Sequence, residues 1–276
     1  MQSNPKYVFF GTPDFAAVVL EELIAAGMAP VAVVTNPDRP FGRKKELTPP
    51  PVKKFVMASG NEIFVLQPEK LDESFIAKLK SISAEVGVLA AYGKIVPRAV
   101  IDSFPKGIVV VHPSLLPKYR GATPIQSAIL AGEDLTGTTL FIMDEKVDHG
   151  PVLGSTQVPL LDMDTYATLA DKLAEASAAL LIEILPKYAA GEMNPVPQSE
   201  DGVTYTKKFV SEDGRVDLDK DELVAVWRKV RALNPEPGVW TMEDGRRMKI
   251  LDADVVDGKL VLRKIQFDGE LPKEVR

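Results

Sequence analysis

The sequence predicts an α/β fold built on a mostly parallel sheet, followed by a small, mostly β second domain. Three observations carry that prediction. Short β-branched and aromatic runs alternate with helix-length segments through the first two thirds of the 276 residues. A stretch holding Gly191, Pro195, Pro197 and Gly202, with few apolar residues, then interrupts the alternation. Beyond it, short strand-like runs are separated by Asp-Gly turns.

Taken in chain order, Tyr7–Phe10 reads as the first strand, and Gly11-Thr12-Pro13-Asp14 as a turn that opens a helix over Phe15–Ala26. Pro30–Thr35, Ile63–Leu66, Val86–Ala90, Gly107–Val111 and Thr138–Met143 are the next strands, and Pro124–Ala131 is a helix between the last two. Such alternation implies right-handed crossovers and parallel pairing. Residues 165–188 form one long amphipathic helix, with Leu169, Leu173, Leu180 and Ile184 at helical spacing. The chain therefore divides into a first domain over 1–188, a linker over 189–204 and a second domain over 205–276. In the second domain Leu223–Leu233 reads as a helix and Val239–Met242, Arg247–Leu251 and Leu260–Ile265 as strands, with hairpin turns at Asp244-Gly245 and Asp257-Gly258.

The most informative segment is Val109-Val110-Val111-His112-Pro113-Ser114-Leu115-Leu116-Pro117. It holds one of only two histidines in the chain, directly after a valine run of the kind buried on both faces of a parallel sheet. Pro113 and Pro117 cannot continue a strand ladder, so the chain leaves the sheet at His112. The carboxyl ends of such strands are where open α/β sheets bind ligands. Asp148 follows a later strand and could reach the same edge; a carboxylate beside an imidazole is the minimal general-base pair. A satisfied core histidine and a turn-forming aspartate fit the same spacing. His149, next to a Gly-Pro turn, fits loop surface.

Composition narrows the field. Without cysteine there is no disulfide, thiolate nucleophile or cysteine-based zinc site, and no tight ligand pair implies a metal. Residues 1–7 lack a signal-peptide core and no apolar run spans a bilayer, so a cytoplasmic protein with no membrane association is expected. Gly11-Thr12-Pro13-Asp14 lacks the dinucleotide glycine spacing, which argues against a nicotinamide enzyme. The net charge is −6, yet Arg39, Arg43, Lys44, Lys45, Lys53 and Lys54 cluster against only Asp38 and Glu46. That basic island is either a solvated loop or a local phosphate contact.

His112-Pro113-Ser114-Leu115-Leu116-Pro117, then Arg120-Gly121 and Pro124-Ile125-Gln126, resemble the signature of the 10-formyltetrahydrofolate-dependent formyltransferases. Gly11-Thr12-Pro13-Asp14-Phe15, the segment 36–43, Ala90-Ala91-Tyr92-Gly93-Lys94-Ile95-Val96-Pro97, Asp148-His149-Gly150 and Thr204-Tyr205-Thr206-Lys207-Lys208 extend the resemblance along nearly the whole chain. It is strongest to the branch that formylates methionyl-tRNA. The resemblance implies a Rossmann-like first domain with helices on both faces and a small β-barrel-like second domain. It further implies 10-formyltetrahydrofolate as cosubstrate, initiator methionyl-tRNA as partner and a monomer. His112 would help deprotonate the attacking amine, with Asp148 supporting it. Ala90, Ala91, Tyr92, Ser114, Leu115, Leu116 and Pro117 would line the folate pocket. Arg43, Lys44, Lys45, Lys207 and Lys208 would meet the tRNA.

One departure stands out. The family places an asparagine two residues before the histidine, where its amide steadies the oxyanion; here that position is Val110. Losing one such donor typically costs about 10²–10³ in rate. Two alternatives therefore stand beside Met-tRNA formylation: an N-formyltransferase acting on a sugar-nucleotide amine, and a non-catalytic protein that binds folate or tRNA.

Overall fold

The computed structural model describes residues 4–42 and 45–275. Its chain divides into two compact units that interleave in sequence. One comprises Met1–Lys118, Gly137–Val158 and Asp171–Val203; the other comprises Tyr119–Thr136, Pro159–Ala170 and Thr204–Arg276.

The first unit is built on a seven-stranded sheet: β1 (Tyr7–Gly11), β2 (Ala32–Val34), β3 (Phe64–Leu66), β4 (Val86–Ala90), β5 (Ile108–His112), β6 (Leu135–Ile142) and β7 (Val152–Pro159). The spatial order is β7-β6-β5-β4-β1-β2-β3. Pairing is parallel from β3 through β2, β1 and β4 to β5, and antiparallel between β5 and β6. From β1 the chain first builds outward through β2 and β3, then crosses back to add β4 and β5 on the other side. That reversal opens a crevice at the carboxyl ends of β1 and β4.

The valine-rich runs lack polar alternation because both faces of the sheet are covered. Tyr7, Phe9, Val33, Val88, Val109 and Val111 enter one core cluster, whereas Val8, Phe10, Val34, Ile108 and Val110 enter another. Strand side chains alternate between faces, so neighbouring valines serve different cores. On the first face lie α1 (Asp14–Ala25) and α2 (Pro51–Ser59), with Ala16, Val19, Leu20 and Leu23 of α1 buried at helical spacing. The second face is covered by α3 (Glu73–Ser81), through Phe75 and Leu79. Its start is fixed by Asp72, whose carboxylate accepts from the Phe75 N–H at 3.1 Å.

In the second unit α4 (Pro124–Ala131) meets α6 (Leu223–Leu233), where an Arg228 guanidinium reaches the Ala131 carbonyl at the helix end. The long helix α5 (Tyr166–Ala189) begins in this unit and continues into the first, where Ala174, Ala178, Leu181 and Leu185 join the core. Leu169, Leu173 and Ile184 are buried as expected; Leu180 is only partly so. The C-terminal strands β8 (Val239–Glu243), β9 (Arg246–Val256) and β10 (Lys259–Phe267), with a short fourth at Lys273–Glu274, form an antiparallel sheet. Both hairpins turn on Asp-Gly with positive φ at each residue (50° and 73°, 49° and 71°), the conformation that matches strand twist.

Several features differ from the sequence reading. His112 is the last paired residue of β5, opposite Thr139, rather than the first beyond it. Strand β7 was not expected: its Gly154, Ser155 and Gln157 break the apolar run, which an edge strand tolerates because only one side is paired. The stretch 189–204 is tied to the sheet at Val196, which exchanges backbone hydrogen bonds of 2.7 and 2.8 Å with Val152.

Candidate active site

His112 is placed by its backbone before its side chain. The His112 carbonyl accepts from the Ser114 N–H at 2.8 Å and from Thr138 Oγ1 at 3.2 Å. Thr138 is wholly buried; with its one proton on the His112 carbonyl, its oxygen accepts from Ser177 Oγ at 2.7 Å, and the Ser177 proton is shared with the Leu173 carbonyl at 2.6 Å. The adjacent Thr139 extends the anchoring: its hydroxyl donates to the Ser114 carbonyl at 2.7 Å and accepts the Leu116 N–H at 3.1 Å. Ser114 Oγ closes the turn on the Lys118 carbonyl at 2.6 Å. Two threonines of β6 thus hold the whole His112–Pro117 exit. Sequence reasoning missed them, although Thr138-Thr139 directly facing the histidine strand was the available signal.

The structure brings His112 and Asp148 together. Nδ1 of the imidazole lies 3.6 Å from Oδ2 of Asp148, with the two side chains 6% and 20% exposed. That distance is beyond a hydrogen bond but well inside the range of a charge interaction in a poorly solvated site. A carboxylate on this side favours the proton on Nδ1 and leaves Nε2 as the basic nitrogen. Asp148 sits at φ +45°, in the left-handed region that aspartate tolerates better than most residues. Gly150 is required two residues on: a Cβ there would come within 1.8 Å of the Ile142 carbonyl oxygen. Between them His149 turns its Nδ1 to Asp144 Oδ2 at 2.6 Å and its Nε2 toward Glu200 Oε1 at 3.6 Å. It therefore ties the loop together and is not idle surface.

Asp148 lines a cavity of about 470 Å³, walled by Leu89, Val96, Phe141 and Met143 with Asp144 at its edge. Val110 lies behind that wall. It is 4% exposed, pairs opposite Phe141 and belongs to the same core cluster as Phe141 and Met143. By alternation Val110 and His112 share one side of β5. A larger cavity of about 1000 Å³ gathers Thr12, Asn36, Pro40, Lys54 and Gly93, so three separate motif segments meet in space. Lys94 lines both cavities.

Ala90 is wholly buried, and Ala91 is exposed at φ +47°. Tyr92 is a core ring set edge-on to Phe10, and its burial pushes the phenol up to about 12. Its carbonyl accepts from Thr12 Oγ1 at 3.1 Å and Asn36 Nδ2 at 3.2 Å, which joins the same three motifs. Ser114 is buried, and Leu115, Leu116 and Pro117 are half-buried. None of these seven lines the cavity beside Asp148; Leu89, immediately before Ala90, does.

In the basic island Arg43 and Lys44 lie outside the described residues, and Lys45 is exposed. Arg39 pairs with Glu69 at 2.9 Å, and Lys53 pairs with Asp38 at 2.8 Å. The Gln67 amide, then Lys53, holds the Asp38 carboxyl below the usual carboxylate range. The island's free charge is therefore smaller than its composition suggests. In the second unit Lys207 and Lys208 are exposed, and Lys207 pairs with Asp213 at 2.7 Å. Among the described residues no group of three or more His, Asp or Glu side chains could hold a metal ion, and no helix is long and apolar enough to cross a membrane.

Comparison with known proteins places these features. Residues 5–185 match the formyl transferase family and residues 208–270 its C-terminal domain. The methionyl-tRNA formyltransferase of Chloroflexus aurantiacus is 45% identical over 251 residues, covering 91% of this chain and 80% of that protein. Among solved structures, HypX from Aquifex aeolicus in complex with tetrahydrofolic acid superposes with a TM-score of 0.70 at 17% identity, over 99% of this chain and 46% of that longer one. The methionyl-tRNA formyltransferase from Clostridium thermocellum gives a TM-score of 0.63 at 16% identity, over 95% and 98% of the two chains. At such identities the structures share a fold.

The threonine anchoring generates one prediction. Thr138→Val keeps the volume but removes the hydroxyl that meets Ser177 Oγ and a bond to the His112 carbonyl, while Ser177 keeps the Leu173 carbonyl. It should lower unfolding stability by about 1–3 kcal/mol in urea titration, and parental stability would show that the network contributes nothing.

Proposed function

The chain belongs to the formyl transferase family, and from that premise we propose that it transfers a formyl group from 10-formyltetrahydrofolate to the amino group of initiator methionyl-tRNA. The observation that carries this reading is the 45% identity to a methionyl-tRNA formyltransferase along 91% of the chain. It acts as a cytoplasmic enzyme, a reading that the translation substrate supports, and as a monomer. Residues 1–188 carry the chemistry and 205–276 contribute tRNA contacts, joined by 189–204.

The cavity beside Asp148 suits a folate headgroup. Its apolar walls match the faces of a flat heterocycle, its edge of mixed charge offers the carboxylates of Asp144 and Asp148 to ring N–H donors beside Lys94, Arg98 and Lys146, and its volume is that of a small-molecule site. Leu89, Val96, Phe141 and Met143 would hold it, with Ala90–Tyr92 and Ser114–Pro117 as flanking segments. The cosubstrate supplies a formyl group on nitrogen, activated toward amine attack.

The protein's own work is proton handling and orientation. An ammonium must lose a proton to attack; positive charge then builds on the nitrogen as the new C–N bond forms, and a second proton must be removed. The adduct collapses by breaking the formyl–folate C–N bond, with that proton returned to the departing folate nitrogen. His112 accepts that proton, and Asp148 stabilises the imidazolium. Negative charge develops on the formyl oxygen, and Val110 offers it no donor. The larger cavity, lined by segments on both sides of the basic loop, receives the acceptor end, and Arg43, Lys44, Lys45, Lys207 and Lys208 contact phosphates.

Single-turnover transfer assays with methionyl-tRNA and with a sugar-nucleotide amine test the reading directly. Transfer to the sugar amine alone, or folate and tRNA binding without transfer, would replace it with one of the two alternatives. In an active protein, His112→Ala should lower turnover by about 10²–10⁴ while leaving the fold intact; an unchanged rate would make the imidazole structural. Val110→Asn should raise kcat with little change in either KM, because the restored amide acts only as charge builds on oxygen. Equal rates for the valine and asparagine forms would mean that another group steadies the oxyanion. Neutralising Arg43, Lys44 and Lys45 together should weaken tRNA binding and flatten its salt dependence, with folate binding unaffected. Equal loss of both affinities would point to misfolding.

A further inference from the structure

Asp148 can support His112 only if its loop is held still, and the loop has no regular structure of its own. Its residues lie between β6 and β7, and Asp148 itself takes a left-handed backbone conformation. The side-chain amide of Gln198 reaches this loop from 50 residues further along the chain. Its Nε2 donates to the Asp148 carbonyl at 2.9 Å and to the Gly150 carbonyl at 2.8 Å. One nitrogen carries two N–H donors, and the turn offers two carbonyls, one on each side of His149.

We propose that Gln198 is a positioning residue for the transfer reaction: its amide clamps the Asp148–Gly150 turn and so aims the Asp148 carboxylate at His112. The proposal rests on the formyl-transfer reading of the site. The clamp is complemented on both flanks. Gly150 is pressed against the Ile142 carbonyl, where no side chain fits, and the Ile142 N–H donates to the Pro151 carbonyl at 2.9 Å. Gln198 itself is held by the neighbouring Val196–Val152 backbone pair, which fixes its segment to the edge strand β7. Glutamine fits where other residues do not. Asparagine is one methylene shorter, leucine donates nothing, and an ionised glutamate would set negative charge against two carbonyl oxygens.

Gln198→Leu and Gln198→Glu, each in the full chain, test the assignment. The leucine variant should lose about tenfold to a hundredfold in kcat, since a misplacement of about 1 Å can cost that much, while KM for folate and for methionyl-tRNA stays near parental. The glutamate variant should be impaired at neutral pH and approach the parent as pH falls, because only the protonated acid can donate to a carbonyl. Parental kcat in the leucine variant, or a glutamate-to-parent ratio flat with pH, overturns the proposal. A second readout is independent of activity. The chain has only two histidines, so its imidazole NMR spectrum separates His112 from His149. Both variants should move the His112 resonance at neutral pH, and an unmoved resonance overturns the assignment. If the parent transfers no formyl group, the functional reading fails, and the His112 resonance still decides whether Gln198 sets the Asp148 turn.

Discussion

The anchoring of the His112 carbonyl is the constraint from which the rest of the site follows. That oxygen accepts from Ser114 and Thr138, so the chain leaves the sheet in one direction with the imidazole already oriented. The anchor is buried on both sides by valines that serve different cores, which leaves β5 little freedom to shift. Backbone groups in such a place must be paired, because an unmade bond there costs more than a made one gains. Thr138, Thr139 and Ser177 meet that requirement with side chains, and in doing so they fix the course of the chain through His112–Pro117.

Around this rigid point the electrostatics are local. The protein is acidic overall, with a net charge of −6, yet the pair at its centre is one imidazole and one carboxylate at 3.6 Å in a poorly solvated setting. The loop that carries the carboxylate is itself stitched by charge and polarity: His149 to Asp144, and Gln198 to two carbonyls. A loop without helix or strand can be stiff if its backbone groups are satisfied from outside. Elsewhere the same economy removes charge from play. Lys53 and Arg39 are held by Asp38 and Glu69, so the basic island presents fewer free cations than its sequence contains. Lys45 and Lys54 are exposed.

Val110 shows how closely core and site are interwoven. It belongs to the apolar cluster that includes Phe141 and Met143, and both of these line the cavity beside Asp148. A polar side chain at this position would have to find its hydrogen-bond partners inside an apolar cluster, at the cost that burial imposes on unpaired polar groups. Valine avoids that cost.

The sequence by itself determined the local elements and the chemistry-bearing residues. The valine run ending in His112, the helix over Pro124–Ala131 and the Asp-Gly hairpins were legible because each depends on near neighbours: strand burial, a proline start, and turn conformations that glycine favours. The family motifs marked His112 and Asp148, but no spacing argument could bring two residues 36 positions apart to 3.6 Å. Tertiary structure alone decided that approach. It also decided that Thr138 and Thr139 grip the histidine exit and that Thr12, Asn36 and Tyr92 interlock. Strand β7 and Gln198 were hidden for a related reason. An edge strand with glycine and serine, and a glutamine in a Pro- and Gly-rich stretch, carry no local pattern. Their roles exist only as hydrogen bonds to partners far along the chain, and the geometry of those bonds is set by the packed sheet.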